Sequence, residues 1–188
     1  MADVTSPPSD PAEVEVQLIP LRRRHLRAVM RIETQVYPHP WSLPLFMSEL
    51  NLRHTRLYVG ARVDGLVTGY CGIMIAGDEA HVTTVAVDPA WQRYKVASRM
   101  LAFVLRSSIE RGVRHMTLEV RVSNSGAQRM YRRFGFEPDG IRKNYYAETQ
   151  EDALIMWVHD IDTDVYAARL EAIEDDIPGG TTIEPGRW

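Results

Sequence analysis

Segments with the alternating pattern of β-strands and segments with the 3.6-residue pattern of helices follow one another along most of the chain. Asp64-Gly65 separates two strand-like runs and is a favoured two-residue hairpin turn. In chain order the patterns predict strands at 14–19, 55–63, 66–76, 79–87, 115–120 and 153–161, and helices at 21–36, 45–50, 96–112 and 125–134. This order predicts an α/β protein, with a mixed sheet and helices on its faces.

The composition is that of a single soluble domain, with 188 residues of which 45% are hydrophobic and 25% are charged. A chain of this length buries about 70% of the surface that its unfolded form exposes, so it needs no disulfide or metal to hold a core. The single cysteine, Cys71, cannot form an internal disulfide and suits a reducing compartment. Because no run of about 18 apolar residues and no secretion signal is present, we expect a cytoplasmic protein without a membrane segment.

Charge is distributed unevenly, although the formal net charge is only -3. Residues 1–20 hold four acids and no base, residues 21–147 hold twenty bases and ten acids, and residues 148–188 hold two bases and eleven acids. A basic centre is typical of proteins that meet a phosphorylated cofactor, nucleic acid or a target on a ribonucleoprotein, but a solvated Arg-rich surface explains it equally well. Arg22-Arg23-Arg24 fits the solvent-exposed face of a helix or, as the alternative, a contact with rRNA.

The two ends of the chain have a different character from its centre. Residues 1–13 are rich in Pro and Ser and predict a flexible N-terminal tail. Residues 161–188 form an acidic C-terminal extension, in which 162–175 fit a short helix capped by Asp162 or Thr163. The Pro- and Gly-rich segment after that helix predicts a loose tail.

The junction between the strand at 79–87 and the helix at 96–112 has the features of an anion site. The first N–H groups of a helix lack acceptors within it, and the helix dipole favours negative charge there. Arg93 and Lys95 add positive charge directly before the helix. The junction therefore indicates a phosphate site, although many α/β proteins have such a junction without a ligand.

The same junction resembles the acetyl-CoA loop of the GCN5-related N-acetyltransferase (GNAT) family, which reads QRxxGxG or QRxxGxA. This chain has Gln92-Arg93-Tyr94-Lys95-Val96-Ala97, so it departs from the pattern at Lys95, where the family has glycine. If the loop requires a positive φ there, a lysine is strained; as compensation, we hypothesise that its charge lies near a cofactor phosphate. The resemblance implies that acetyl-CoA is bound by Val85, Ala86, Val87, Arg93, Tyr94, Lys95, Val96, Ala97, Ser98 and Asn124.

A second block, from Leu118 to Phe136, matches the family's LEVRxxNxxAxxxYxxxGF segment at every named letter. The resemblance implies that Glu119 is the base that deprotonates the acceptor amine, and that Tyr131 is the acid that protonates the CoA thiolate. A strand N–H near Val87 would polarise the thioester oxygen. The alternatives are an ion-paired strand glutamate, a core tyrosine and, for Asn124, a helix cap, which is compatible with binding the cofactor arm or a water.

The resemblance covers residues 14–160 and implies the GNAT fold, a mixed and mostly antiparallel central sheet with helices on both faces. It implies an acetyltransferase domain over 14–160, flanked by the tail at 1–13 and the extension at 161–188, both of which we expect to be dispensable. The residues are also similar to those of one branch, the ribosomal-protein alanine N-acetyltransferases. The similarity to that branch lies in Trp41-Ser42, in the run from Arg142 to Tyr146, and in residues 151–156, whereas Ala147 replaces the branch's usual proline.

In that branch the acceptor is held by the loop after the first helix and by a tyrosine-bearing loop. The resemblance therefore implies that Trp41, Tyr145 and Tyr146 bind the substrate, although each of these aromatic residues fits a packing role equally well. Transfer would be direct, in a ternary complex of enzyme, acetyl-CoA and the N-terminus of a ribosomal protein or another peptide. The expected acceptor is the N-terminal alanine of a small-subunit ribosomal protein.

Three other functions stay open. A lysine or small-amine acetyltransferase and an N-terminal acetyltransferase of broader specificity would use the same fold. A nucleic-acid-binding module would use the basic centre, but it would not need these motifs, and we expect no direct nucleic-acid function. None of the six histidines has a metal-ligand spacing and Cys71 lacks a paired base, so we interpret these residues as structural and expect no metal.

Overall fold

A computed structural model describes residues 7–186 and residue 188 of the chain. The α-helices in this part are Leu26–Val36 (α1), Leu43–Glu49 (α2), Val96–Ile109 (α3), Ser125–Arg133 (α4) and Asp164–Asp175 (α5). The strands are Glu15–Pro20 (β1), Arg56–Val63 (β2), Leu66–Ala76 (β3), Glu79–Val87 (β4), His115–Arg121 (β5), Glu137–Tyr146 (β6), Glu151–Val158 (β7) and Gly180–Ile183 (β8). None of these helices is both long enough and apolar enough to cross a membrane.

The described strands pair in the order β6-β7-β5-β4-β3-β2-β1-β8. β1 is antiparallel to β2, and β7 is antiparallel to both β5 and β6. β4 runs parallel to β5, and β1 runs parallel to β8. The predicted α/β class with a mixed, mostly antiparallel sheet is confirmed.

Contacts between residues divide the described chain into two compact units. The first unit holds the residues up to 72, those at 84–101 and those from 177 onward. The second unit holds residues 73–83 and 102–176. The domain limits at residues 14 and 160 stay a prediction.

The core of the first unit forms on the apolar face of α1. Leu26, Val29 and Ile32 are buried there at the helical spacing that predicts this helix. Phe46 and Tyr70 belong to the same cluster, with their rings edge to face and centroids 5.7 Å apart. The cluster places the start of α2 close to α1, which leaves only a short loop at 37–42 between the two helices.

The second unit packs around β5 and α5. Met116, Leu118 and Val120 are buried at alternate positions of β5, so Glu119 lies on its other face. The predicted helix over 162–175 is confirmed as α5, and Thr163 caps it by accepting a hydrogen bond from the Tyr166 N–H. The Tyr166 hydroxyl donates to the Phe134 carbonyl oxygen at 2.8 Å, which ties α5 to the end of α4.

Two strands were not predicted. β6 carries mostly exposed, polar residues together with Pro138 and Gly140, so its sequence has the character of a loop. It is an edge strand, and edge strands need neither alternation nor high apolarity. The interpretation of Tyr145 and Tyr146 as loop residues is therefore wrong, because they are the last two residues of β6.

The prediction of a loose segment after α5 is wrong for residues 180–183. These residues form β8, whose register with β1 runs from Glu15 opposite Gly180 to Leu18 opposite Ile183. The buried Arg99 of α3 donates to the Gly180 carbonyl oxygen at 2.9 Å and also to the Pro178 carbonyl and the Thr181 hydroxyl. These contacts stabilise a short strand that was not predicted, because the Pro and Gly residues beside it are typical of a loop.

At the N-terminus, Pro11–Glu13 forms a 3-10 turn that Asp10 caps. Residues 1–6 of the predicted flexible tail lie outside the described residues.

Candidate functional site

The loop between β4 and α3 contains two residues with positive φ, Arg93 at +73° and Lys95 at +60°. The helix begins at Val96, and its first backbone hydrogen bond runs from the Arg99 N–H to the Lys95 carbonyl oxygen at 3.1 Å. The N–H groups of Val96, Ala97 and Ser98 precede that bond and therefore have no acceptor within the helix. With the charges of Arg93 and Lys95, this arrangement suits the binding of a phosphate group.

Lys95 has a positive φ, a backbone conformation that is strained for a lysine. We expect Lys95→Gly to be more stable than Lys95→Ala by about 1 kcal/mol, because a left-handed backbone disfavours a Cβ by about 1–2 kcal/mol. Denaturant unfolding of both variants measures the difference. The same pair of substitutions at Arg129, inside α4, should rank in the opposite order, since glycine weakens a helix interior. Equal stability of the two Lys95 variants would contradict a strained loop.

The end of β4 offers main-chain rather than side-chain groups to a ligand. The Ala86 side chain is buried in the core of the first unit, whereas Val85 and Val87 are half-buried. The Val85 carbonyl oxygen accepts a hydrogen bond from the Tyr37 hydroxyl at 2.8 Å. A carbonyl oxygen has a second lone pair, so this bond leaves one acceptor site on Val85 for an added strand.

The loop after α1 is anchored by a buried carboxylate. Glu33 is 1% exposed, and it accepts hydrogen bonds from the Trp41 N–H at 2.8 Å and from the Tyr70 hydroxyl. Burial raises the pKa of Glu33, while these two hydrogen bonds act in the opposite direction. The Trp41 ring packs against Phe46 at a centroid distance of 5.3 Å, so Trp41 has at least the packing role that the sequence left open.

Glu119 is held at both carboxylate oxygens. Oε2 lies 2.5 Å from Nε2 of His81 on β4, and Oε1 lies 3.1 Å from Nε of Arg142 on β6. The Glu119 side chain is 9% exposed, against 28% for His81 and 55% for Arg142. The carboxylate is thus desolvated, fixed in orientation and ion-paired with Arg142.

Tyr131 and Asn124 both lie at α4. Tyr131 is buried, and its ring meets Phe136 in an edge-to-face contact at 5.7 Å. Asn124 caps α4, since its Oδ1 accepts the Ala127 N–H at 3.1 Å. The structural alternative for Asn124 is thereby confirmed, and its role toward a cofactor stays a prediction.

The two tyrosines at the end of β6 have different surroundings. Tyr145 is 46% exposed. Its partial burial raises the pKa of its hydroxyl, and the negative charge of Glu119 raises it further. Tyr146 instead lies under the guanidinium of Arg121, whose centre is 3.8 Å from the ring centroid. Arg121 also pairs with Glu151 at 3.0 Å and so fixes the β6–β7 hairpin. Tyr145 is therefore the one of the pair that shares a neighbour, Arg142, with Glu119.

Comparison with known proteins identifies the family. Residues 26–136 match the model described as "Acetyltransferase (GNAT) family". The chain belongs to the GNAT family.

Relatives of this GNAT protein include N-terminal acetyltransferases. It is 33% identical over 138 residues to the ribosomal protein bS18-alanine N-acetyltransferase of Escherichia coli strain K12, covering 72% of this chain and 92% of the relative. It is 36% identical over 142 residues to the N-alpha-acetyltransferase RimI of Mycobacterium tuberculosis, covering 72% and 87%. The crystal structure of the ribosomal-protein-S18-alanine N-acetyltransferase from Escherichia coli matches with a TM-score of 0.71 and 31% identity, covering 77% of this chain and 94% of that one. The predicted fold and the predicted enzyme class, an N-acetyltransferase, are confirmed.

Three residues of this GNAT enzyme were missed by the sequence analysis: His81, Arg142 as a partner of Glu119, and Glu33. The interpretation of His81 as merely structural does not account for its contact with the predicted base. The alternating pattern of each strand places His81 on the half-buried face of β4 and Glu119 on the half-buried face of β5. The pattern does not give the register between the two strands, so it does not show that these side chains are neighbours. Glu33 had a detectable signal, since a carboxylate within the apolar face of an amphipathic helix needs a buried partner.

The described residues contain neither a cluster suited to a metal ion nor a reactive cysteine. Among residues 7–186 and 188, no group of three or more His, Cys, Asp or Glu side chains is placed to hold a metal ion. Cys71 is fully buried, and burial raises the pKa of its thiol to about 12. It is therefore a neutral thiol at physiological pH, which agrees with its interpretation as a small core residue.

Proposed function

We propose that this GNAT enzyme moves an acetyl group from acetyl-CoA to the N-terminal α-amine of a protein, with the N-terminal alanine of a small-subunit ribosomal protein as acceptor. The names and identities of the relatives support the acceptor class. The observation that carries the proposal is the buried Glu119 carboxylate, fixed at both oxygens by His81 and Arg142. Acetylation of ribosomal proteins would place the reaction in the cytoplasm.

The residues of the β4–α3 loop fit a phosphorylated co-substrate. In the proposed complex, Arg93 and Lys95 neutralise phosphate charge, and the N–H groups of Val96, Ala97 and Ser98 donate to phosphate oxygens. Main-chain groups of residues 85–87 would hold the pantetheine arm as an added strand, with Asn124 and Tyr94 as further contacts. When bound, acetyl-CoA supplies the acetyl group as a thioester.

Each chemical task falls to one residue of the chain. An α-ammonium group has no lone pair, so Glu119 removes one proton from it, directly or through one water, before the nitrogen attacks. The Val87 N–H donates to the thioester oxygen where negative charge develops. The Tyr131 hydroxyl donates a proton to the sulfur that leaves. Trp41, Tyr145 and Tyr146 are the proposed contacts for the first residues of the acceptor.

A pair of peptides tests the proposal. One begins with a free N-terminal alanine and has the sequence of a ribosomal protein terminus; the other is the same peptide blocked at its N-terminus and carrying an internal lysine. We expect acetyl transfer to the first at a kcat/KM at least about ten-fold above that for the second, since a properly placed amine gains from orientation. Modification of the blocked peptide alone would refute α-amine transfer and favour the lysine acetyltransferase alternative.

A further inference from the structure

The proposed phosphate site is held on both sides by the ends of the chain. Tyr94 lies on the N-terminal side of the N–H groups at 96–98, and Arg99 directly follows them. The Tyr94 hydroxyl donates a hydrogen bond to the Pro8 carbonyl oxygen at 2.7 Å. The buried Arg99 donates to the Gly180 carbonyl oxygen at 2.9 Å. A terminal segment therefore contacts the loop before α3, and the other contacts the first turn of α3.

The two terminal segments also contact each other. The Gly180 N–H donates to the Val14 carbonyl oxygen at 3.2 Å. Gly179 has a φ of +79° and lies so close to the N-terminal segment that a Cβ at this position would overlap the Val14 carbonyl oxygen. Residues 8–14 and 178–181, which we call the terminal support, thus form one structure within the first unit.

The loop before α3 has a conformation that its residues do not favour by themselves. Arg93 and Lys95 both have a positive φ, which is unfavourable for any residue with a Cβ. A loop that leaves its binding conformation for part of the time binds more weakly, because the Kd rises by the reciprocal of the competent fraction. Contacts that keep the loop in place therefore raise affinity without touching the ligand.

We propose that the terminal support holds the β4–α3 loop in the conformation that binds the phosphates of CoA, with Tyr94 and Arg99 as positioning residues. This rests on the proposed function, which assigns acetyl-CoA to the loop. The Tyr94 hydroxyl has one proton and donates it to Pro8, so it has no donor left for a phosphate oxygen. The terminal support lies outside residues 26–136, so the proposal extends the cofactor site beyond the part that matches the family model.

Tyr94→Phe and Gly179→Ala in the full chain test the proposal. The first removes the hydrogen bond to Pro8, and the second places a methyl group against the N-terminal segment. We expect each to raise the calorimetric Kd for CoA by about three-fold or more, the factor that one lost hydrogen bond gives. The KM for acetyl-CoA should rise as well, with kcat unchanged at saturating acetyl-CoA. Because both substitutions act on one support, the double variant should raise the Kd by less than the product of the two factors.

Amide hydrogen exchange of the ligand-free enzyme gives a readout that does not depend on CoA. Exchange at residues 94–98 should be faster in both variants than in the wild type, since the loop opens more often. Two controls should keep the wild-type Kd. Tyr166→Phe removes a hydroxyl that donates to Phe134, and Gly112→Ala adds a methyl group at a positive φ where no other atom lies within 4 Å.

An unchanged Kd for CoA in either variant would overturn the proposal, as would unchanged exchange at residues 94–98 in both. A higher Kd in Tyr94→Phe alone would instead assign its hydroxyl a direct contact with CoA. A lower Kd in either variant would also overturn the proposal, because it would show that the terminal support competes with the cofactor. Absence of CoA binding by the wild-type enzyme would overturn the proposed function.

Discussion

Replacing Glu119 by glutamine should lower kcat by about 10²- to 10⁴-fold while leaving acetyl-CoA binding close to that of the wild type. The amide keeps the size of the side chain but cannot take a proton, and a positioned base typically contributes a factor of this order. The steady-state rate on an alanine-initiated peptide and the calorimetric affinity for acetyl-CoA measure the two quantities. We expect Tyr131→Phe to lower kcat as well. Because the proposed acid and base would act in the same reaction, the factor by which the double variant lowers kcat should be smaller than the product of the two single-variant factors.

Glu110→Gln is the matched control, because Glu110 is an exposed glutamate just after α3. It should retain the wild-type kcat. The amide of Glu119→Gln also loses the ion pair with Arg142, so a thermal unfolding scan must show that the variant is folded at the assay temperature. Wild-type rates for both Glu119→Gln and Tyr131→Phe over a range of pH would show that neither residue has the assigned role.

Arg99→Met should destabilise the protein by about 2 kcal/mol. Arg99 is 3% exposed, and its guanidinium donates to three acceptors in the segment that leads into and forms β8. Methionine fills a similar volume but leaves these acceptors without their charged donor, which costs about 1–3 kcal/mol. Denaturant unfolding measures the loss, and amide hydrogen exchange should become faster at Gly180–Ile183. Such a result would show that residues 180–183 contribute to stability, whereas the sequence alone predicts that the extension is dispensable.

Arg106→Met provides the comparison on the same helix. Arg106 pairs with Glu174, and both side chains are more than a third exposed, so the pair resembles an ordinary surface salt bridge. Its loss should cost about 0.5 kcal/mol and leave exchange in β8 unchanged. Equal effects of the two substitutions would show that Arg99 does not anchor β8.

Much of the fold was predictable because its buried strands and helices carry their own periodicity. β4 alternates through all nine of its residues, and its predicted and observed limits coincide. The apolar face of α1 was predictable for the same reason, because Leu26, Val29, Met30 and Ile32 recur at helical spacing and all of them but Met30 are buried. These elements are specified by the residues that they bury. Such residues recur at a regular spacing, so they can be recognised from the sequence alone.

The edge strands were not predictable in the same way. β6 and β8 bury few side chains and contain or follow Pro and Gly, so local sequence indicates loops. Their strand conformation comes from hydrogen bonds to β7 and β1, which are distant in the sequence. Long-range pairing of this kind leaves no periodic signal.

The candidate site was predictable in part. The motif that contains Glu119 and Tyr131 indicated both residues, and the loop pattern indicated Arg93 to Ser98. The partners of Glu119 were not found, because they depend on the register of β4 against β5 and on the unpredicted β6. Sequence reasoning thus indicated the candidate carboxylate but not the two side chains that contact it.

The most direct test of the account is to locate the acetyl group on a single acceptor that offers both kinds of amine. A peptide with a free N-terminal alanine and an internal lysine is incubated with enzyme and acetyl-CoA, and tandem mass spectrometry assigns the modified nitrogen. We expect an enzyme-dependent acetyl group on the alanine α-nitrogen, formed at least about 100-fold more slowly with Glu119→Gln. Acetylation confined to the lysine side chain, or equal transfer with Glu119→Gln, would contradict it.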